Sequence, residues 1–452
     1  MQNEDAASRL DDWLELLDED DVRALLRQAS NHVPQVRDWL EIQRAASSDS
    51  PNELLGMINE TLKPGRRFYD YWQANRYAEE GADVVDLLET KAQAGSPDLV
   101  PVIERAITLA TRAILKSDDS SGLQGDQIRT LLDAHATAVR TATPPLTQAQ
   151  QSKLVKWIVK YRYGGTQDFF DPDIVAYAPG LSEKSISAYR AAIADADLGP
   201  YSTYPLERLA VLDRDRDAIL AAHGGEPSNP MVAERLVDDF VEAELWDDAL
   251  HYARIGVELD SRGWNQKLVN LLVERADAQG DQDEALRLRR SWFTRFPGGA
   301  SFASLRATAE CWGAWQQERV AAEEMLAARS PHAYVRYLLD EGRSDDAWTF
   351  AMQNREALVD AGLWQRLCTE RARTRPADTL PIYRQIVLDT LEVTDKRNYR
   401  AAAKTLTTMR KVAHSAGAAD DFAEFLARVI DENRRRPTCI AAFKRAGLIP
   451  TS

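Results

Sequence analysis

A short turn signature returns at near-constant spacing through the second half of the chain, and this recurrence limits the fold more than any single residue does. It reads as a small or polar residue, then Asp or Glu, then Ala-Leu or Ala-Trp. The copies are Glu244-Leu245-Trp246-Asp247-Asp248-Ala249-Leu250, Gly280-Asp281-Gln282-Asp283-Glu284-Ala285-Leu286 and Gly342-Arg343-Ser344-Asp345-Asp346-Ala347-Trp348. A degenerate copy, Gly313-Ala314-Trp315, lies between the second and third. With further turn starts at 376 and 417, the steps are 36, 33, 29, 34 and 41 residues. A period of this size is one supersecondary unit, and a unit that repeats can bury its apolar face only against its neighbours.

Each unit offers two amphipathic helices. Before the turn at 280, Leu268, Leu271, Leu272 and Ala276 share a face; after it, Ala285, Leu288, Trp292 and Phe296 do the same. Asp283 and Glu284 stand at the positive end of the second helix, and the small Ala249, Ala285 and Ala347 permit close helix approach. The steps bracket the ~34-residue period of tetratricopeptide-type hairpins. The expected fold is therefore all-α: an α-solenoid of tetratricopeptide-like helical hairpins over 231–452, preceded by an N-terminal helical region over 1–225. Phe422, Phe425, Leu426, Val429 and Ile430, followed by Asn433-Arg434-Arg435-Arg436-Pro437, predict the last hairpin and its C-terminal cap.

In the N-terminal region the 3.6-residue period predicts helices over 53–61, 67–94, 98–116, 124–142, 147–161 and 182–196, with a sub-boundary near 141–149. Leu10, Trp13, Leu14 and Leu17 form an earlier stripe, and the acids at 18–21 are placed to cap the next helix. The polar loop at 117–126 reads as a capped inter-helix connection. The densest helix-breaking run, His223 to Pro230, sets the main domain boundary.

The chain of 452 residues is 44% hydrophobic and 28% charged with a net charge of -15, the composition of a folded, acidic, soluble protein. That charge is unevenly spread. Residues 1–230 carry -13, 231–395 carry -9 and 396–452 carry +7, while Glu4 to Asp21 holds nine acids against Arg9 alone. No run approaches the ~20 apolar residues of a membrane span, and the first thirty residues are acidic, so a cytoplasmic protein without a secretory signal is expected. Cys311, Cys368 and Cys439 are odd in number and far apart, which argues against a disulfide framework or a four-ligand zinc site.

Several stretches together resemble the long helical region of bacterial SWIM zinc-finger proteins and related helical-repeat proteins. They are LLDEDDVRALLRQASNHVPQVRDWL, RRFYDYWQANRYAEEGADVVDLLE, DDSSGLQGD, ALRLRRSWFTRFP, YVRYLLDEGRSDDAW, DTLPIYRQIV, NYRAAAKTLTTMRKVA and RRRPTCIAAFKRAGL. The resemblance implies a helical scaffold. The Cys-x-Cys and Cys-x-His pairs of the zinc motif do not occur here, so that motif's metal and nucleic-acid roles do not transfer.

Phosphate cradles, a serine elbow and a zincin helix have no matching motif, and His32, His135, His223, His251, His332 and His414 stand singly. No catalytic, cofactor or metal residues are predicted. The leading expectation is a non-enzymatic scaffold or adaptor with a protein partner and no membrane. The alternative is a nucleic-acid-associated protein using the basic segment 396–445, through Lys396, Arg397, Arg400, Lys404, Arg410, Lys411, Arg434, Arg435, Arg436, Lys444 and Arg445. Self-association between the acidic N-terminus and this basic end is a third reading, and an enzyme site in the N-terminal helices a weaker one. Of the tryptophans dense in the repeat half, Trp246, Trp264, Trp292, Trp312, Trp315, Trp348 and Trp364, most read as core, with Trp246 and Trp264, beside turns, as the exposed aromatics.

Overall fold

The computed structural model describes residues 13–48, 50–65, 67–196 and 203–450. Part of the acidic N-terminal segment, including Glu4, Asp5, Asp11 and Asp12, lies outside these residues, as does Leu10 of the first predicted stripe. Among the described residues there are 24 α-helices and no β-strand beyond an isolated bridge between Tyr69 and Ser117. The fold is all-α. Met1–Ser228 with Arg235–Ala249 forms one compact unit, and Asn229–Glu234 with Leu250–Ser452 forms the other.

The first unit begins with α1 (Glu19–His32), α2 (Pro34–Ala46) and α3 (Pro51–Thr61). Asp18 caps α1 by accepting the Asp21 amide at 2.9 Å, so the acid run works as a helix start. No residue of α1 is fully buried, and its Leu25 and Leu26 remain exposed. The core lies among α4 (Tyr71–Gln93), α5 (Leu99–Ile114), α6 (Leu123–Thr141) and α7 (Gln148–Tyr163). Leu88, Ile103, Ile107, Ile128, Leu131, Leu154 and Ile158 meet there with almost no exposure. Each such side chain contributes about 1.5–3 kcal/mol relative to an exposed one. Asp70 and Gln73 close a capping box on α4, as Thr147 and Gln150 do on α7. In the loop before α6, the Asp119 carboxylate accepts the amides of Gln124 and Gly125 at 3.0 and 2.9 Å. The remaining helices are shorter: α8 (Ile174–Tyr177), α9 (Glu183–Asp195), α10 (Tyr204–Asp213) and α11 (Arg216–Ala222). His135 is fully buried, its Nδ1 2.8 Å from the Tyr177 hydroxyl and its ring against Trp157. Burial lowers its pKa, so this histidine is a neutral core residue.

Helices α12 (Pro230–Glu242) and α13 (Trp246–Leu259) contribute residues to both units. The second unit continues as α14 (Gln266–Ala278), α15 (Gln282–Arg295), α16 (Gly299–Cys311), α17 (Trp315–Arg329), α18 (Pro331–Asp340) and α19 (Ser344–Gln353), each packed on the next. It ends with α20 (Ala361–Arg371), α21 (Leu380–Glu392), α22 (Lys396–Ser415), α23 (Ala419–Glu432) and α24 (Pro437–Arg445).

The repeated turn signature has one backbone cause. Gly280, Gly313, Gly342 and Gly417 adopt φ of 71°, 69°, 72° and 69°, and Glu244 adopts 58°. Each left-handed residue lets the following amide reach a carbonyl five residues back: Leu245 to Phe240, Asp281 to Ala276, Ala314 to Ala309, Arg343 to Leu338 and Ala418 to Ala413, at 2.7–2.9 Å. This is the Schellman closure of a helix end. The acids after the turn then start the next helix, as when the Glu284 amide donates to Asp281 Oδ1.

Two sequence expectations need correction. At 376 there is no left-handed turn. Pro376 opens a short 3-10 turn through Thr379, and Arg375 before it is held at φ -137°, ψ 71°. At the other end, the chain does not stop at Asn433–Arg436 but turns into α24, whose Cys439 and Phe443 are buried in the same apolar cluster as Met409 of α22. A proline after a basic run marks a helix end and, equally, the first turn of a new helix.

The first prediction concerns the turn. A Cβ at Gly342 would meet no neighbour within 4 Å, so Gly342→Ala should cost only the strain of a Cβ at φ 72°, about 1–2 kcal/mol, read as a lower urea midpoint with unchanged helical circular dichroism.

Candidate functional site

Within the second unit the first helices of two successive hairpins, α16 and α18, line a groove of about 580 Å³. Phe302, Leu326 and Ala333 give it an apolar surface, while His332, Arg336, Asp340 and Glu341 bring charge and hydrogen-bonding capacity to its edge. Phe302 is buried because it packs edge-on to Tyr337, with ring centroids 4.8 Å apart, and to Trp315 at 5.7 Å.

Arg306 organises one wall. Its guanidinium donates to Glu310 and to Glu341, both at 2.7 Å, and lies 5.8 and 5.9 Å from the ring centres of Trp315 and Tyr337. Those hydrogen bonds to Glu310 and Glu341 raise its pKa and fix its charge. Tyr337 donates to Glu323 at 2.8 Å, and burial together with that carboxylate pushes its hydroxyl up to about 12. The outer edge is looser. Arg336 is 60% exposed and pairs with Asp360 at 3.1 Å, and Asp340 pairs with Arg366 at 2.7 Å. Exposed pairs of this kind are worth about 0–1 kcal/mol, so an incoming charged group can replace them at small cost.

No family model matches the chain, and no curated protein does. Among solved structures the chain is similar to the crystal structure of the P58(IPK) TPR domain. The two are 12% identical, the match covers 83% of this chain and 96% of that one, and the TM-score is 0.20. The all-α architecture rests on the helices and turns described above and draws nothing from that likeness.

The predicted basic residues fall into two groups. On α22, Lys396, Arg397, Arg400, Lys404 and Lys411 are exposed, opposite the buried Tyr399, Ala402, Ala403, Leu406 and Met409. Among the described residues these five, with Arg435, Lys444 and Arg445, form no ion pair. The others are occupied. Arg410 donates to the Gly447 carbonyl at 2.8 Å, Arg434 pairs with Asp431 at 2.6 Å, and Arg436 donates to the Leu391 carbonyl at 2.9 Å and to Asn433 at 3.0 Å.

Trp246 is 39% and Trp264 66% exposed, whereas Trp292, Trp315, Trp348 and Trp364 are buried. A buried acid holds the loop that displays Trp264. Asp260 accepts the amides of Arg262, Gly263 and Asn265 at 2.7, 2.9 and 2.7 Å, and Arg262 lies over the Trp264 ring at 4.9 Å. Burial opposes the charge of Asp260, but the amides of Asn265, Arg262 and Gly263 outweigh it and hold the carboxyl below its ordinary range.

The groove residues Phe302, Arg306, Arg336 and Tyr337 were not singled out by sequence. Periodicity marks the helices that carry them but does not say which apolar positions of a first helix face a gap between hairpins.

Two outcomes follow. Arg436→Ala should destabilise the C-terminal helices by about 1–3 kcal/mol in chemical denaturation, whereas Arg435→Ala should stay within about 0.5 kcal/mol. Asp260→Asn should cost about 1 kcal/mol at neutral pH. Because the folded pKa lies below the unfolded one, Asp260's contribution is present above the unfolded value and lost as pH falls through the folded value. The gap between variant and parent, followed by urea denaturation across pH, should therefore close on acidification.

Proposed function

We propose that the protein is a non-enzymatic helical-repeat scaffold that docks an extended segment of a partner protein in the groove between α16 and α18. The groove itself carries this reading: its volume of about 580 Å³ suits a few side chains, and it joins an apolar floor to rim charges held only by exposed ion pairs. Successive first helices offer equivalent positions along one surface, the means by which repeat arrays present extended binding faces. Such a partner segment would place an apolar side chain near Phe302 and Ala333 and its own charges against Arg336 and Asp340.

A second reading draws on a different observation. The unpaired cations of α22 run from Lys396 to Lys411, about 22 Å along one helix, and suit a polyanion such as nucleic acid. Here Arg410 and Arg436 would contribute little, being committed to carbonyls of the fold, whereas the exposed Arg434–Asp431 pair can open at small cost.

Peptide display against the intact chain tests the first reading and, with the same protein, duplex DNA tests the second. The scaffold reading expects enriched peptides that bind at micromolar concentration and lose at least ~10-fold affinity in Arg336→Glu, while the α22 double variant Arg400→Ala with Lys404→Ala leaves them unaffected. Enrichment of no peptide, or binding indifferent to Arg336→Glu, would overturn it. Salt-sensitive DNA binding that disappears in the α22 double variant would favour the second reading.

A further inference from the structure

We propose that Glu207, His223 and Asp239 in the first unit form a binding site for a divalent metal ion of the zinc class. The three belong to separate elements. Glu207 lies in the first turn of α10, His223 is the residue that ends α11, and Asp239 lies in α12. Each offers one donor atom, and these atoms all lie within 4.8 Å of one another. A single ion bonded at about 2.0–2.2 Å needs donors about 3–3.5 Å apart, so the His223–Asp239 pair, now 2.7 Å apart, must open slightly while Glu207 closes in.

The three side chains are enclosed, with exposures of 11% for Glu207, 3% for His223 and 8% for Asp239. His223 Nε2 and Asp239 Oδ2 stand 2.7 Å apart, a hydrogen bond that an ion held by both would replace. Glu207 is the residue the protein fold leaves unused. Among the described residues its carboxylate takes no hydrogen bond, and its nearest cation, Arg235, is 64% exposed at 3.8 Å. A carboxylate nearly removed from water and aimed at an imidazole without a hydrogen-bond donor is costly unless a cation joins it.

Charge balance points the same way. Arg208, 8% exposed, bonds Asp173 at 2.9 Å through two nitrogens, Asp239 Oδ1 at 3.2 Å and Glu242 at 2.5 Å. Two guanidiniums, Arg208 and the exposed Arg235, thus face four carboxylates, Asp173, Asp239, Glu242 and Glu207. A dication offsets that excess. The Arg208 contact also fixes Asp239 by Oδ1 and leaves Oδ2 directed at His223, the role that outer-shell partners play for metal-binding carboxylates. The backbone holds the imidazole in place. Gly224 and Gly225 follow at φ of 84° and 91°, and the Gly225 amide returns to the Leu220 carbonyl at 2.9 Å. One imidazole with two carboxylates suits Zn²⁺, Co²⁺ or Mn²⁺.

This site lies outside the peptide groove, and either can fail alone. The test uses the full chain, stripped with a chelator and titrated with Zn²⁺ by calorimetry and with Co²⁺ by visible absorption. One ion per chain is expected, with Co²⁺ bands that report nitrogen and oxygen ligation. His223→Ala and the isosteric Glu207→Gln should each weaken binding at least ~10-fold while circular dichroism stays unchanged, and His251→Ala should bind as the parent does. Should His223→Ala unfold the chain, Glu207→Gln decides. Failure of the folded parent to bind either ion, or binding that survives Glu207→Gln, would overturn the proposal. Survival would locate the ion on surface histidines or the exposed Cys311 thiol.

Discussion

The left-handed glycine at the turns of residues 280, 313, 342 and 417 is the constraint on which the second unit depends. With φ near 70° the chain reverses within three residues, the next amide closes on a carbonyl five positions back, and the following acids meet the positive end of a new helix. Two helices joined this way are antiparallel and close, so their apolar faces form a single surface that the next hairpin must cover. The buried chain from Leu286 and Phe302 to Leu326, and from Val335 to Leu448, is that surface continued. Glu244 occupies the same conformation without being glycine, at a cost of about 1–2 kcal/mol that surrounding packing must absorb.

Much of this was legible because turn chemistry is local. A glycine that must take positive φ, followed by acids and then alanine, can be seen in a single chain, and so can the stripes Leu268–Ala276 and Phe422–Val429 that the structure buries. The helix-end capping by Asp18 was equally readable from its place in the acid run. Position 376 was not legible, because a spacing argument treats any break of suitable length as equivalent, whereas proline and left-handed glycine end a helix by different means. The same ambiguity hid α24 behind a basic stretch ending in proline.

The candidate sites were less legible than the fold, and the reason is physical. Glu207, His223 and Asp239 are 16 residues apart in each step, far outside the spacings at which one helix or loop brings ligands together; only the folding of α10, α11 and α12 within one unit does so. Phe302 and Tyr337 likewise meet across two hairpins. The predicted basic set was visible as charge. What sequence could not separate was Arg410 and Arg436, spent on carbonyls of the fold, from Lys396, Arg400 and Lys404, left facing water.

The uniform turn geometry also limits how such a chain can change length. Adding or removing one residue inside a helix shifts the apolar positions after it in that helix by about 100° around the axis, so changes in length fall more easily in the connections, as the steps of 29 to 41 residues show. The connection over 372–379 is different. It holds no left-handed closure, and its contacts run through Arg371, paired with Asp345 and Asp378, and through the Thr379 hydroxyl on the Pro376 carbonyl. Of the six repeated turn starts it is the one where added residues would break no left-handed closure.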